Sequence, residues 1–160
     1  MRKHIGIRKL INAKKYEEAI TKLEKIKNID QYGKFLLGVA YVFLFKSEKQ
    51  IPKEYLFHNS GGKQILEDLI EEGYDNPQLY TFYVDMFLQS DYEKQIKILK
   101  RGIQYSGKNE NAGKLYRYYF DLENNKNNVL DILNNIPSFL RSEYFETLRI
   151  ATYFDLGEYK

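Results

Sequence analysis

Asp91-Tyr92-Glu93-Lys94-Gln95-Ile96 repeats the pattern of an earlier stretch, Lys15-Tyr16-Glu17-Glu18-Ala19-Ile20, and the last three residues, Glu158-Tyr159-Lys160, begin it again. Each stretch places a Tyr one or two residues into what reads as a new helix. An aromatic or aliphatic helix of about a dozen residues precedes each one. Self-similarity at a period of about 34 residues predicts a helical solenoid, in which no unit buries its apolar face alone. Such a chain offers a surface rather than a reaction centre.

Working outward, apolar spacing predicts a first helix over 4–12, with Ile7, Leu10 and Ile11 on one side. Asn12-Ala13-Lys14-Lys15 makes a turn, and Ala19, Ile20, Leu23 and Ile26 form the stripe of a second helix. The third, over 32–46, is apolar nearly all round, so neighbours should enclose it on several sides. Pro52 and Asn59-Ser60-Gly61-Gly62 are breaker signals, and residues 47–62 read as an irregular insertion. Further helices are expected over 63–72, 77–89, 91–105, 110–123, 128–135 and 141–155. Asn76-Pro77 suits a helix start, Asp91 an N-cap, and Ser106-Gly107 and Leu156-Gly157 suit ends. The 124–128 run of Asn and Lys reads as a polar turn, and no segment alternates as a strand would. The fold class expected is all-α, one repeat domain over residues 1–160.

Composition fits that reading. Of the 160 residues, 43% are hydrophobic, enough for a continuous core and against disorder. Tyr outnumbers Phe, 15 to 10, and Tyr suits seams where a ring packs while its hydroxyl stays near water. Without Cys there is neither a disulfide framework nor a thiolate metal site. The basic start, Met1 to Arg8, lacks the apolar run of a signal peptide, and no stretch approaches the ~20 apolar residues of a membrane span. A soluble cytoplasmic protein is expected. Abundant Lys, Asn, Ile and Tyr suggest an AT-rich coding sequence of bacterial or phage type.

Catalytic constellations are hard to find. His4 and His58 are the only histidines, and no metal-ligand spacing joins them to other residues. Asn59-Ser60-Gly61-Gly62-Lys63 is no phosphate loop, because Phe57 and Gln64 stand where that motif needs Gly and Ser or Thr. Glu17/Glu18, Glu67/Asp68 and Glu71/Glu72 read as solvated helix faces. The expectation is a protein that is no enzyme and carries no cofactor or metal. Net charge is +3, too small to imply nucleic acid, although Arg2, Lys3, Arg8, Lys9, Lys14 and Lys15 all precede the first acidic residue. That basic first helix reads mainly as a solvated outer face, with a phosphate contact as the weaker alternative.

These residues resemble the tetratricopeptide repeat family. Leu37-Gly38 with Tyr41 fits the first half of its pattern, and Tyr16, Ala19, Leu23 and Ile26 fit the second. Tyr80, Tyr83, Phe87, Tyr92, Ile96 and Ile103 make a nearly full unit; Tyr153, Gly157 and Tyr159 fit the last helix and its turn. Val84 and Ile150 replace the small residue the family wants at a helix crossing, Ile96 replaces a preferred Ala, and the 107–137 unit aligns poorly. The resemblance is thus to a degenerate member.

It implies a right-handed α-α solenoid of about four to five antiparallel helix pairs. A partner protein or peptide would lie on its concave face. The matching positions are Phe35 and Val39; Thr81, Asp85 and Gln89; Arg117; and Thr147 and Ala151. Phe35 and Val39 stand where a carboxylate clamp would need Lys and Asn, which disfavours a chaperone-tail ligand. Because a helix should follow Tyr159-Lys160, the apolar edge of the 141–155 helix also suggests self-association, or a regulatory or oligomerising role within a larger assembly.

Overall fold

Turn chemistry decides where the helices of this chain begin and stop. The computed structural model describes residues 4–48 and 61–157, and every regular element among them is helical. In chain order these are α1 (Ile5–Asn12), α2 (Tyr16–Glu24), α3 (Gln31–Glu48), α4 (Gly61–Glu71), α5 (Pro77–Phe87), α6 (Tyr92–Ser106), α7 (Gly113–Leu122), α8 (Lys126–Asn134) and α9 (Glu143–Leu156). A 3-10 turn, Ser138–Leu140, precedes α9. The all-α class is therefore established.

Asn76 accepts a hydrogen bond from the Gln78 amide at 3.1 Å with Pro77 in the first turn, and Asp91 accepts from the Lys94 amide at 3.1 Å. These side chains satisfy amides that a helix start leaves without partners. Asn125 does the same for α8, accepting from Asn127 and Asn128 at 3.1 and 3.4 Å. What reads as a polar turn over 124–128 thus already contains a cap and the first helical turn. Gly157, at φ 70°, ends α9 in the left-handed conformation that glycine adopts without steric cost. Lys14 adopts a similar φ of 60° between α1 and α2, which costs a residue with a Cβ about 1 kcal/mol.

The chain divides into two compact units, residues 1–74 and 75–160. In the first, α3 packs against α1, α2 and α4, the enclosure its nearly continuous apolar run demands. Phe35, Leu36, Val39, Ala40 and Val42 are all buried there. The crossing of α3 and α4 is made by two glycines. A Cβ on Gly62 would stand 2.5 Å from the Gly38 carbonyl oxygen, and one on Gly38 would stand 2.9 Å from a Leu66 methyl. Gly62, read from sequence as a breaker, lies inside a helix and permits a close approach of its backbone to that of Gly38. Ser47 likewise belongs to α3, so the expected insertion is shorter at both ends; its residues 49–60 lie outside the described residues, as does the helix start expected at Glu158-Tyr159-Lys160.

His4 ties α1 to the start of α3. Its Nε2 lies 2.9 and 3.0 Å from the two Asp30 carboxylate oxygens, and Asp30 also accepts from the Gly33 amide at 2.7 Å. The ring is only 2% exposed, and its Nδ1 has no hydrogen-bond partner among the described residues. Because a carboxylate oxygen can only accept, Nε2 is the donor in this contact.

In the second unit, α5 and α6 form a hairpin, α7 packs on both, and α8 pairs with α9. Leu79, Leu99 and Leu115 are fully buried, each stabilising the fold by about 2 kcal/mol relative to exposure. Here the close approach involves one glycine and one ring: a Cβ on Gly102 would meet Tyr80 Cγ at 2.6 Å. Burial pushes the hydroxyl of Tyr80 up to about 12. Phe145 of α9 meets Tyr116 and Phe120 of α7 edge-on, at centroid distances of 6.2 and 5.9 Å. Among the described residues no helix is long and apolar enough to cross a membrane.

Candidate functional site

Helices α5 and α7 lie side by side with α6 against both, and their adjoining ends leave a recess of about 350 Å³. Val84, Asp85 and Gln89 line it from α5 and the turn after it, Gln95 from α6, and Tyr118, Asp121 and Leu122 from α7. Buried Val84 and half-buried Leu122 supply its apolar lining. Spacing explains the rest. On α7, Tyr118, Asp121 and Leu122 fall at i, i+3 and i+4 and share one face, while Tyr116 and Phe120 are buried on the opposite side.

Hydrogen bonds order the polar groups unequally. The Tyr118 hydroxyl donates to Asp85 Oδ2 at 3.1 Å, and the Lys114 ammonium stands 3.8 Å from the same oxygen. That ammonium also lies 4.8 Å from the centroid of the Tyr118 ring. Gln89 turns its amide back to the Asp85 carbonyl at 3.0 Å. Gln95 is 6% exposed; its Nε2 donates to the Leu88 carbonyl, and no described residue donates to its Oε1. Because the Leu88 oxygen can only accept, the amide orientation of Gln95 is fixed by chemistry. Asp121 forms neither a hydrogen bond nor an ion pair with any described residue.

Of the residues the repeat pattern places on a concave face, Asp85 and Gln89 meet in this recess. Thr81 does not: it is buried, and its hydroxyl lies within reach of the Pro77 and Gln78 carbonyls of its own helix. Phe35 and Val39 belong to the core of the first unit, 5% and 7% exposed. Arg117 is exposed and sets its guanidinium 5.0 Å from the Tyr144 ring, while Thr147 and Ala151 lie on the exposed side of α9.

Sequence reading did not find Gln95, Tyr118 or Asp121. The signal for Gln95 was present: it stands three residues after Tyr92, as Ala19 stands three after Tyr16. Ala19 and Gln95 are both buried, whereas Ile96, matched to the family's Ala by sequence, is half-exposed. Tyr118 and Asp121 gave no comparable signal, since their unit fits the repeat pattern poorly.

Beneath this site a second polar cluster holds α6, α7 and α8 together. Glu123 accepts from the Asn125 amide, the Tyr119 hydroxyl and Asn128 at 3.1, 3.0 and 3.2 Å, with Lys100 at 3.3 Å. Burial pushes this carboxyl up, and the donated hydrogen bonds outweigh it, holding it below the usual carboxylate range. Burial and the Glu123 carboxylate together push the Tyr119 hydroxyl far upward. The partners come from α6, α7, α8 and the turn before α8, so the cluster ties three helices together. Among the described residues, no three His, Cys, Asp or Glu side chains converge as a metal site would require. Compared with family models, with curated proteins and with solved structures, the chain matches none of them.

Proposed function

We propose that this protein is a non-enzymatic interaction module of degenerate tetratricopeptide-like type, holding a segment of a partner protein in the recess between α5 and α7. One observation carries the reading. Asp85 and Gln89, two positions the repeat pattern assigns to partner contact, come together with Tyr118 and Asp121 of the next first-in-pair helix. Facing first helices are where a helical-repeat array binds extended segments. Two further facts support the repeat geometry within each unit: α3 is enclosed by neighbouring helices, and α7 packs on the α5–α6 hairpin.

Affinity capture with wild type and with an Asp85→Ala/Gln89→Ala/Tyr118→Ala variant tests it. A purified partner should bind wild type and lose at least about tenfold in affinity to the variant, the loss of a few polar contacts at a small interface. Equal binding to a folded variant removes the groove assignment.

A second reading, a regulatory or oligomerising element of a larger assembly, draws on α9. Ile150 and Phe154 on that helix and Phe139 before it are 53%, 62% and 61% exposed. Sedimentation equilibrium discriminates: a monomer at tens of micromolar leaves self-association without support.

A further inference from the structure

We propose that the outer face of α6, a surface separate from the recess, binds single-stranded nucleic acid, with Tyr105 as the ring on which a base stacks. Gln95, Leu99, Gly102 and Ser106 form the buried stripe of this helix. Lys97, Arg101, Gln104 and Lys108 repeat the same spacing two residues later, which sets them on the opposite side. Lys108 lies two residues past the helix end and stays in line because Gly107 keeps right-handed helical dihedrals. From Lys94 to Asn109 five residues are basic and none is acidic, with Glu93 and Glu110 at the two borders. This one helix therefore gathers more positive charge than the net +3 of the whole chain.

Part of that charge is spent within the protein and part is not. Lys94 pairs with Asp91 at 2.7 Å, and Lys100 with Glu123 at 3.3 Å. Lys97 and Lys108 are exposed and form no ion pair with any described residue. Asp75, the acid that reaches the far end of the stripe, accepts from the Asn109 amide at 3.4 Å. The Arg101 guanidinium lies 5.4 Å from the centroid of the Tyr105 ring. A positive surface thus runs along about 16 Å of helix with an aromatic ring beside it.

Charge alone suits any polyanion; the ring selects among them. Tyr105 is 41% exposed, although a large ring gains by being covered. Unpaired bases offer flat faces that stack on such a ring while their phosphates follow neighbouring cations. A duplex keeps its base faces inside its own stack and would use the lysines only. An acidic peptide likewise meets the lysines and leaves the ring unused. A lipid surface is disfavoured, because the four outward positions carry no aliphatic side chain to enter it and the apolar side of α6 is buried.

The test is fluorescence anisotropy of the whole chain with labelled oligothymidylate and oligouridylate of about twelve nucleotides. Both should bind saturably at about 50 mM salt and about twentyfold more weakly at about 200 mM, the slope expected when three phosphates are neutralised. Lys97→Gln/Lys108→Gln should reduce that salt effect to about threefold. Tyr105→Ala should cost about tenfold in affinity and leave the salt dependence as it was, and Tyr105→Phe should bind as wild type does. Arg8→Gln/Lys9→Gln, which removes the same charge from exposed positions of α1, should change affinity less than twofold, about the loss a distant charge causes. A hairpin duplex of similar length should bind about tenfold more weakly than the single strand. The proposal is overturned if neither oligonucleotide saturates at low salt, or if the duplex or polyglutamate binds as tightly. It is equally overturned if Tyr105→Ala leaves affinity unchanged, or if the α1 pair weakens binding as much as the α6 pair.

Discussion

The helices α2 and α6 begin with nearly the same letters and are used in different ways. Tyr16 stacks on Phe43 at 5.6 Å, whereas Tyr92 is 66% exposed. Three residues on, α2 buries the methyl of Ala19 and α6 buries the amide of Gln95. The helix crossings differ as well. In residues 1–74 two backbones meet through Gly38 and Gly62; in residues 75–160 Gly102 meets the Tyr80 ring. A shared spelling thus specifies a helix start and its apolar stripe. What the next helix presents decides whether the seam closes with a methyl or opens into a polar recess.

Backbone cannot move as a side chain can, which ranks the changes that probe this contrast. Gly62→Ala drives a Cβ to 2.5 Å from the Gly38 carbonyl and should destabilise by about 3 kcal/mol or more in urea unfolding. Next comes Glu123→Ala, which strips the buried Tyr119 hydroxyl of its acceptor and should cost about 2–3 kcal/mol. Gly102→Ala should cost only about 1–2 kcal/mol, since the Tyr80 ring can tilt and alanine recovers about 1 kcal/mol of helix propensity. If Gly102→Ala proved as damaging as Gly62→Ala, the distinction between backbone and ring contact would be lost.

Glu123 adds a dependence on pH to the second of these regions. Its folded carboxyl is held below the usual range, so its contribution is fully present above the unfolded value of about 4.3 and fades as pH falls through the lower folded value. Urea melts of wild type and Glu123→Gln should therefore differ most near neutrality and converge in acid. A gap that widens below pH 4 would contradict the ionised, hydrogen-bonded carboxylate.

The smallest effects concern the two helix starts. Asp91 caps α6 through the Lys94 amide, while Lys15 gives α2 no side-chain cap. Replacing Asp91 with Ala should lose about 1 kcal/mol, and Lys15→Asp should gain about 0.5–1 kcal/mol. Thermal melts of the two single variants would check the opposite signs. A neutral Lys15→Asp would mean that the left-handed Lys14 beside it, rather than the missing cap, limits that turn.

Much of the fold was legible because helix starts and stripes are local. Asn76-Pro77, Asp91 and Leu156-Gly157 all serve as expected, and α3 is enclosed as its apolar run requires. Boundaries were missed where one residue type has two uses. Gly61-Gly62 signals a break in isolation, yet against α3 it is a contact surface. Asn125 reads as turn and acts as cap. The site was half legible: Asp85 and Gln89 follow from the repeat pattern, whereas Thr81 shares their face in sequence and is buried in fact.

By itself the sequence determined an all-helical chain, the stripes that form its cores, and the absence of thiol chemistry, since each depends on residue type and on spacing within one helix. Only the tertiary structure decided that Gln95 is buried against the Leu88 carbonyl, that Asp121 and Tyr118 stand opposite Asp85, and that two glycines carry a helix crossing. Those facts depend on which helices meet and at what distance. Side chains far apart in the chain become partners only after packing has brought their helices together.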